Sequence, residues 1–383
     1  MTQASAAASR SSVPVVDRAA YLGQQLALWA QSLALTETAR RVSRQPPPDI
    51  PKHAFRHVNR RFLGLLREDL ENVAAGHYPR DLLFQIPVRQ YAARLPLILA
   101  DAPNILKRIR RENYRDLPDD VDLDRYPPYY RRTFHWQTDG YFSRRSAELY
   151  DVGVEILFRG TADIMRRQVI PPVTRFLRER GQAAGVTRLL DVACGTGRTL
   201  SQLAASHPDL RYFGVDLSPY YVQVARKNLS EVEDVSLLAE NAEHLPFVDG
   251  YFDIVTSVYL FHELPRNARR NVVREMLRVL EPGGLLVIED SAQISDSPEL
   301  APVLAGFAKE FHEPFYRDYT EDDLAALLAA EGFEVLSSDP KLVAKVVVAR
   351  KPAAARAPHS SKARPRPDAS RKRRARARPV DSV

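Results

Sequence analysis

The stretch Leu189–Leu200 constrains this 383-residue chain more than any other. Leu189-Leu190-Asp191-Val192 is an apolar run ending on a carboxylate. Ala193-Cys194-Gly195-Thr196-Gly197 follows as a loop of small residues, and apolar positions Leu200, Leu203 and Ala204 then open a helix. A strand that stops at an acid and turns through small residues into a helix lets backbone approach a ligand closely. It also presents free amide donors at the helix N-terminus. Such a loop alone is shared with dinucleotide-binding folds, which need a third glycine where this chain has Leu200 and do not require the acid at the first strand's end.

The surrounding order sharpens this reading. Gly214-Val215-Asp216-Leu217-Ser218-Pro219 places a second acid at the end of the next strand, where a carboxylate can accept from both hydroxyls of a ribose. Ser218 and Pro219 form a helix start, as cap and first helical residue. Ala239-Glu240-Asn241-Ala242-Glu243 follows a third strand, and Phe252–Ser257 runs into Val258-Tyr259-Leu260-Phe261-His262-Glu263. An amphipathic helix over Asn267–Leu280 is stopped by Glu281-Pro282-Gly283-Gly284 before another apolar strand. Strands are predicted at Arg188–Val192, Tyr212–Asp216, Val235–Ala239, Tyr251–Ser257, Leu285–Glu289, Phe333–Ser338 and Leu342–Ala349. The last two are joined through Asp339-Pro340-Lys341, a link short enough only for an antiparallel hairpin.

Taken together, these five elements make the segment 182–351 resemble a class I S-adenosylmethionine-dependent methyltransferase, in the group that includes quinone-biosynthesis C-methyltransferases and many small-molecule enzymes. The resemblance implies an α/β, Rossmann-like seven-stranded sheet, mostly parallel with its last strand antiparallel, and S-adenosylmethionine as cofactor. It implies that Asp191, Ala193, Gly195 and Gly197 cradle the methionine end and that Asp216 holds the ribose. Asn241 and Ala242 would contact adenine, and Ser257 and Tyr259 would sit beside the sulfonium. Cys194 and Leu217 lie within the same two segments and join the cofactor set, although a small packing role is the simpler reading of Cys194. Ala193 replaces a common glycine and Asn241 a common aspartate; the amide oxygen can still accept from an adenine amino group.

Ahead of this segment, residues 18–125 read as a helical module, with helices predicted over Arg18–Arg44, His53–Gly76 and Asp81–Asn113. Pro46-Pro47-Pro48 forms a stiff spacer. Residues 126–181 begin with crowded aromatics, including Tyr129, Tyr130, His135, Trp136 and Tyr141, before helices over Ser146–Met165 and Pro172–Arg180. We read the aromatic segment as a lid over the methyl acceptor, with His312 as a further substrate-pocket residue. Transfer from a sulfonium releases a neutral leaving group, so a base is needed only where the acceptor must lose a proton. His262 is the candidate base, with Glu263 to orient it and Tyr259 nearby; position 266 is arginine, so no zinc-protease signature is present.

Residues 1–17 and 352–383 read as disordered. The net charge of +7 resides in the tail: Lys351–Val383 holds 11 basic and two acidic residues, whereas the first 350 residues carry 44 and 46. The folded body is therefore close to neutral, which argues against a nucleic-acid-binding fold and leaves RNA contact to the tail. A single cysteine excludes a disulfide or a cysteine cage, and no metal site is expected. With no span of about 20 apolar residues and no signal peptide, the expected compartment is cytoplasmic. The working expectation is methylation of a small-molecule or lipid-like acceptor. An RNA or protein methyltransferase using the tail, and a non-catalytic cofactor-binding scaffold or sensor, are the alternatives; the oligomeric state is not legible.

Overall fold

Why the chain doubles back around one strand follows from its alternating burial. In β1 (Arg188–Val192), Leu189 and Leu190 point to opposite faces, and each lands in a different apolar core. Strands sandwiched between helices must be apolar on both faces, as this one is. The computed structural model describes residues 13–43, 50–85, 88–181 and 186–353. The remaining strands are β2 (Arg211–Asp216), β3 (Val235–Ala239), β4 (Phe252–Val258), β5 (Leu280–Ser291), β6 (Glu334–Lys341) and β7 (Ala344–Arg350). Their order across the sheet is β3-β2-β1-β4-β5-β7-β6, parallel except that β7 runs antiparallel to both neighbours. The expected seven-stranded architecture is therefore present.

One face of the sheet is covered by α6 (Ile170–Arg180), α7 (Arg198–Ser206) and α8 (Pro219–Asn228), packed with Leu189, Tyr212, Ile254 and Val287. The other carries α9 (Arg266–Val279) and α12 (Leu324–Ala330) against Leu190, Val255, Leu286 and Ile288. Between β5 and α12 lie α10 (Ala301–Glu310) and α11 (Tyr316–Glu321).

The N-terminal helices are α1 (Val15–Ser43), α2 (Lys52–Ala74) and α3 (Val88–Arg111). Tyr21, Leu65 and Leu66 pack with Ile164, Met165 and Ala344, so α1 and α2 share a core with the β6–β7 hairpin. At that junction Asp69, fully buried, accepts from Arg167 Nε at 2.6 Å and from the Tyr21 hydroxyl at 2.5 Å, with Tyr78 and Arg167 Nη2 completing its shell. Four donors around one buried carboxylate supply the compensation that a desolvated charge requires.

Several boundaries differ from expectation for identifiable reasons. The β6–β7 turn is Leu342–Val343, and Asp339-Pro340-Lys341 lies within β6. Proline is tolerated there because β6 is an edge strand and needs no donor on its open side. The helix predicted over Ser146–Met165 is two, α4 (Arg144–Leu157) and α5 (Ala162–Arg166), broken at Gly160. Gly160 has φ +82°, and a Cβ there would come within 2.6 Å of Leu28, so the break lets α1 approach. The start of the helix expected over Asp81–Asn113 is instead a 3-10 turn, Arg80–Phe84, ahead of α3. β5 starts at Leu280, running through Pro282-Gly283-Gly284, and a register shift between Phe252 and Ile254 absorbs the irregular entry. The Pro46–Pro48 spacer, residues 1–12 and nearly all of the basic tail lie outside the described residues. Among the described residues no helix is long and apolar enough to cross a membrane.

Candidate active site

Chain order reverses between β1 and β4, and the crevice beyond the C-terminal ends of parallel strands at such a reversal is where open α/β sheets bind ligands. A cleft of about 1010 Å³, including its open mouth, lies there. Its floor is the loop after β1, with Ala193, Cys194 and Gly195 in the wall and Gly197 capping α7 at φ +77°. Cys194 N donates to Val215 O at 3.0 Å and Asn228 Nδ2 to Thr196 O at 2.9 Å, which fixes the loop against β2 and α8. A Cβ at Gly195 would meet nothing within 4 Å, so the loop backbone opens directly onto free space. Cys194 is buried and belongs to the apolar core beneath the loop.

Asp216, at the end of β2, lines the cleft. Its two oxygens accept from Gly195 N and Ser218 N, each at 2.9 Å, and burial pushes its carboxyl up to about 6. Asp191 is not in the cleft wall: it sits under the floor, accepts from Thr256 Oγ1 at 2.7 Å, and is pushed up to about 7 by burial. Ser257 is likewise a strap, donating to Val192 O at 2.9 Å. Leu217 and Ala242 face the cleft with Asn241, whose side-chain oxygen accepts from Glu243 N at 2.9 Å.

Aromatics close in over the cleft, reaching from Asp216 and Ser218 to Glu263. Tyr130, Phe134, Tyr141 and Tyr150 line it with Tyr221 of α8. Ser218 Oγ donates to Tyr141 O at 2.6 Å and the Tyr129 hydroxyl to Glu243 at 2.6 Å, which stitches the segment over β2 and β3. Tyr259 lines the cleft just past β4, stacked on Phe158 at 5.6 Å. Ala193 (φ +60°) and Tyr259 (φ +59°) both hold left-handed backbone, a conformation that costs a non-glycine residue about 1–2 kcal/mol.

Of the paired His262 and Glu263, only Glu263 lines the cleft. His262 is buried, with Nδ1 2.7 Å from Asp290 Oδ1. Burial works against its charged form, yet Asp290 outweighs this and holds the imidazole up at about 10. Glu263 Oε1 accepts from the Tyr141 hydroxyl at 2.5 Å, and burial, with Glu313 beside it, pushes Glu263 up to about 7. His135 leaves the aromatic lid to bond Glu313. Trp136 and His312 are not in the cleft wall; they pack on one another at 5.0 Å, with His312 stacked on Tyr114 at 4.8 Å. The substrate-pocket expectation for His312 thus meets a packing position, held mainly by burial in its neutral form.

The methyltransferase-domain family model matches residues 189–284. The chain is 34% identical over 168 residues to an O-methyltransferase, rstn1, of Aspergillus nomiae NRRL, covering 43% of this chain and 72% of that protein. This chain is a class I S-adenosylmethionine-dependent methyltransferase. A demethylmenaquinone methyltransferase of Staphylococcus aureus is also 34% identical, over 120 residues, 31% of this chain and 48% of that one, so the chain spans about half of that relative. Among solved structures, N-methyltransferase NodS from Bradyrhizobium japonicum WM9, in complex with S-adenosyl-L-homocysteine, covers 49% of this chain and 85% of that one at 17% identity and a TM-score of 0.36.

The methyltransferase's cofactor is S-adenosylmethionine, and the open backbone at Gly195 beside a rim carboxylate suits its sugar and amino-acid ends. Sequence reasoning missed Tyr150, Asp151, Arg166 and Tyr221 in the cleft wall. Tyr150 and Asp151 lie within a helical pattern whose period marks a face and not its partner.

Proposed function

We propose that this methyltransferase transfers a methyl group to an oxygen nucleophile on a small, largely apolar acceptor held under the aromatic lid. The observation that carries the reading is the composition of the lid side of the cleft: the rings of Tyr129, Tyr130, Phe134, Tyr141, Tyr150 and Tyr221, with the Glu263 carboxylate accepting from Tyr141. Aromatic walls favour a flat apolar body, and a carboxylate with acceptor capacity beyond its bond from Tyr141 favours a donor hydroxyl on it. The names of the O-methyltransferase and demethylmenaquinone methyltransferase relatives agree with an acceptor of this class.

On this reading Asp216 accepts from the ribose hydroxyls, Asn241 and Ala242 border adenine, and the Ala193–Gly197 loop lies against the methionine end. Arg166, in the cleft wall and bridged to Asp163 at 3.0 Å, pairs with the methionine carboxylate. The bound cofactor supplies an activated methyl on a sulfonium whose departure leaves a neutral thioether. The chain's own part is alignment and proton transfer: Tyr259 flanks the transfer point, and Glu263 holds the acceptor hydroxyl and takes its proton as the carbon–oxygen bond forms. Such positioning contributes up to about 7–11 kcal/mol in well-oriented reactions. His262, turned from the cleft towards Asp290, serves as a positioning residue for Glu263 instead of touching the acceptor.

The test is calorimetry with S-adenosyl-L-homocysteine, then transfer of labelled methyl to panels of phenols, quinols, RNA and protein. Transfer to phenols or quinols supports the proposal; transfer to RNA or protein alone overturns it in favour of the macromolecular alternative. Cofactor binding without transfer to any panel overturns it in favour of the scaffold.

A further inference from the structure

We propose that His135, His262, Glu263 and Glu313 form a binding site for one divalent transition-metal ion, which clips the aromatic lid to the end of the sheet. One ligand atom from each of these residues lies within 4.8 Å of every other. His135 Nε2 is 3.8 Å from Glu263 Oε1 and bonded to Glu313 Oε1, and His262 Nε2 is 3.8 Å from the same Glu313 oxygen. Ligands about 2.0–2.1 Å from a tetrahedral ion stand about 3.3 Å apart, so small side-chain shifts bring the four into a coordination shell.

Three further observations point the same way. The Glu313 side chain is fully buried, and its second oxygen has no hydrogen-bond partner. A buried carboxylate oxygen left bare is costly, and a cation is the partner that relieves it. Next, His262 Nδ1 is held by Asp290 at 2.7 Å, which turns Nε2 towards the cluster. A carboxylate behind the imidazole is the usual support of a metal-bound histidine, fixing both its tautomer and its orientation. Lastly, two imidazoles and two carboxylates make a mixed set that balances a divalent charge. This set suits zinc, cobalt, iron or manganese better than magnesium or calcium, which prefer oxygen alone.

The placement gives such an ion a purpose. His135 belongs to the lid, His262 and Glu263 follow β4, and Glu313 lies between α10 and α11. An ion bound by all four joins three chain segments at the acceptor end, with Glu263 its only ligand that also lines the cleft.

The experiment uses untagged full-length protein, stripped with chelator and titrated with Co²⁺ and then Zn²⁺. Visible absorption, competition by Zn²⁺, thermal melting and S-adenosyl-L-homocysteine affinity are read in parallel. The expected result is one Co²⁺ per chain, displaced by Zn²⁺, with a raised melting temperature. Affinity falls at least about 100-fold in His135→Ala and Glu313→Gln and about 10–100-fold in Asp290→Asn. It is unchanged in His53→Ala, an exposed histidine on α2. A wild-type protein without cobalt absorption overturns the site, as do His135→Ala and Glu313→Gln variants, folded by their melting curves, that bind as well as wild type. Cobalt binding in a protein that does not bind S-adenosyl-L-homocysteine supports the metal site while refuting the cofactor geometry, so the two failures are separable.

Discussion

The two ends of the cleft are built by different means. The cofactor end comes from consecutive residues at strand ends: the loop after β1, Asp216 after β2 and Asn241 after β3. Backbone amides hold the Asp216 carboxylate, with Gly195 N and Ser218 N each 2.9 Å away. The acceptor end is assembled from segments far apart in the chain, where side chains hold side chains: Tyr141 to Glu263 across 122 positions and His135 to Glu313 across 178. Local backbone geometry thus sets what every such fold needs, and long-range side-chain convergence sets what this protein adds.

The contrast breaks most easily at Asp216. Asp216→Ala removes the partner of two loop amides and the proposed ribose acceptor, and S-adenosyl-L-homocysteine affinity should fall by about 2–4 kcal/mol, roughly 30- to 1000-fold. Calorimetry showing wild-type affinity would displace the cofactor assignment.

At the opposite end, Tyr141→Phe removes a hydrogen bond to a charged group, worth about 1.5–3 kcal/mol. The expected outcome is a 10- to 100-fold fall in kcat/KM for the acceptor with cofactor affinity unchanged. Equal losses in both would mean that the two ends are not separable.

The third prediction concerns pH. Asp216 is raised to about 6, so it is ionised above that value and protonated below it. Ribose hydroxyls need the ionised acceptor, so cofactor affinity should weaken about tenfold between pH 7 and pH 5. The titratable neighbours Asp191, Tyr130, Tyr221 and Cys194 all respond to the Asp216 charge. Stability runs the other way: a carboxyl raised on folding stabilises the fold at low pH, and that contribution is lost as pH rises through about 6. An affinity flat from pH 5 to 7 would remove Asp216 from the binding equilibrium.

The smallest effect is expected at Ala193→Gly. Relief of left-handed strain is largely offset by the greater freedom of an unfolded glycine, so urea denaturation should shift by no more than about 1 kcal/mol, with cofactor binding retained.

This division also explains what was legible in the sequence. The β1 loop, Asp216 and the strand alternation could be read because the atoms that act together are neighbours in the chain. Asp191 and Ser257 were placed in the right segments, but which way a strand-end side chain turns depends on its partner strand, here Thr256 for one and Val192 for the other. The pairing of His262 with Glu263 suggested a base and its support; the fold gives that support to Asp290 and turns Glu263 to the cleft. His312 and Glu313 looked like one unit, yet adjacent side chains diverge, one to Tyr114 and one to His135. The expectation of no metal site rested on the single cysteine and on local spacing, which do not register a cluster that residues 135, 262, 263 and 313 form only in the fold.

The Asp69–Arg167 pair carries a consequence for how the molecule opens. Separating the N-terminal helices from the sheet would break this pair together with the apolar core that buries it, and replacing Asp69 alone with alanine would leave the Arg167 guanidinium buried and uncompensated, a loss of about 3–5 kcal/mol. Partial opening along that seam is therefore disfavoured, and the helices and sheet should melt as one cooperative unit. Amide hydrogens of α2 should accordingly exchange as slowly as those of β5 and β7, protected by a charge pair that touches neither end of the cleft.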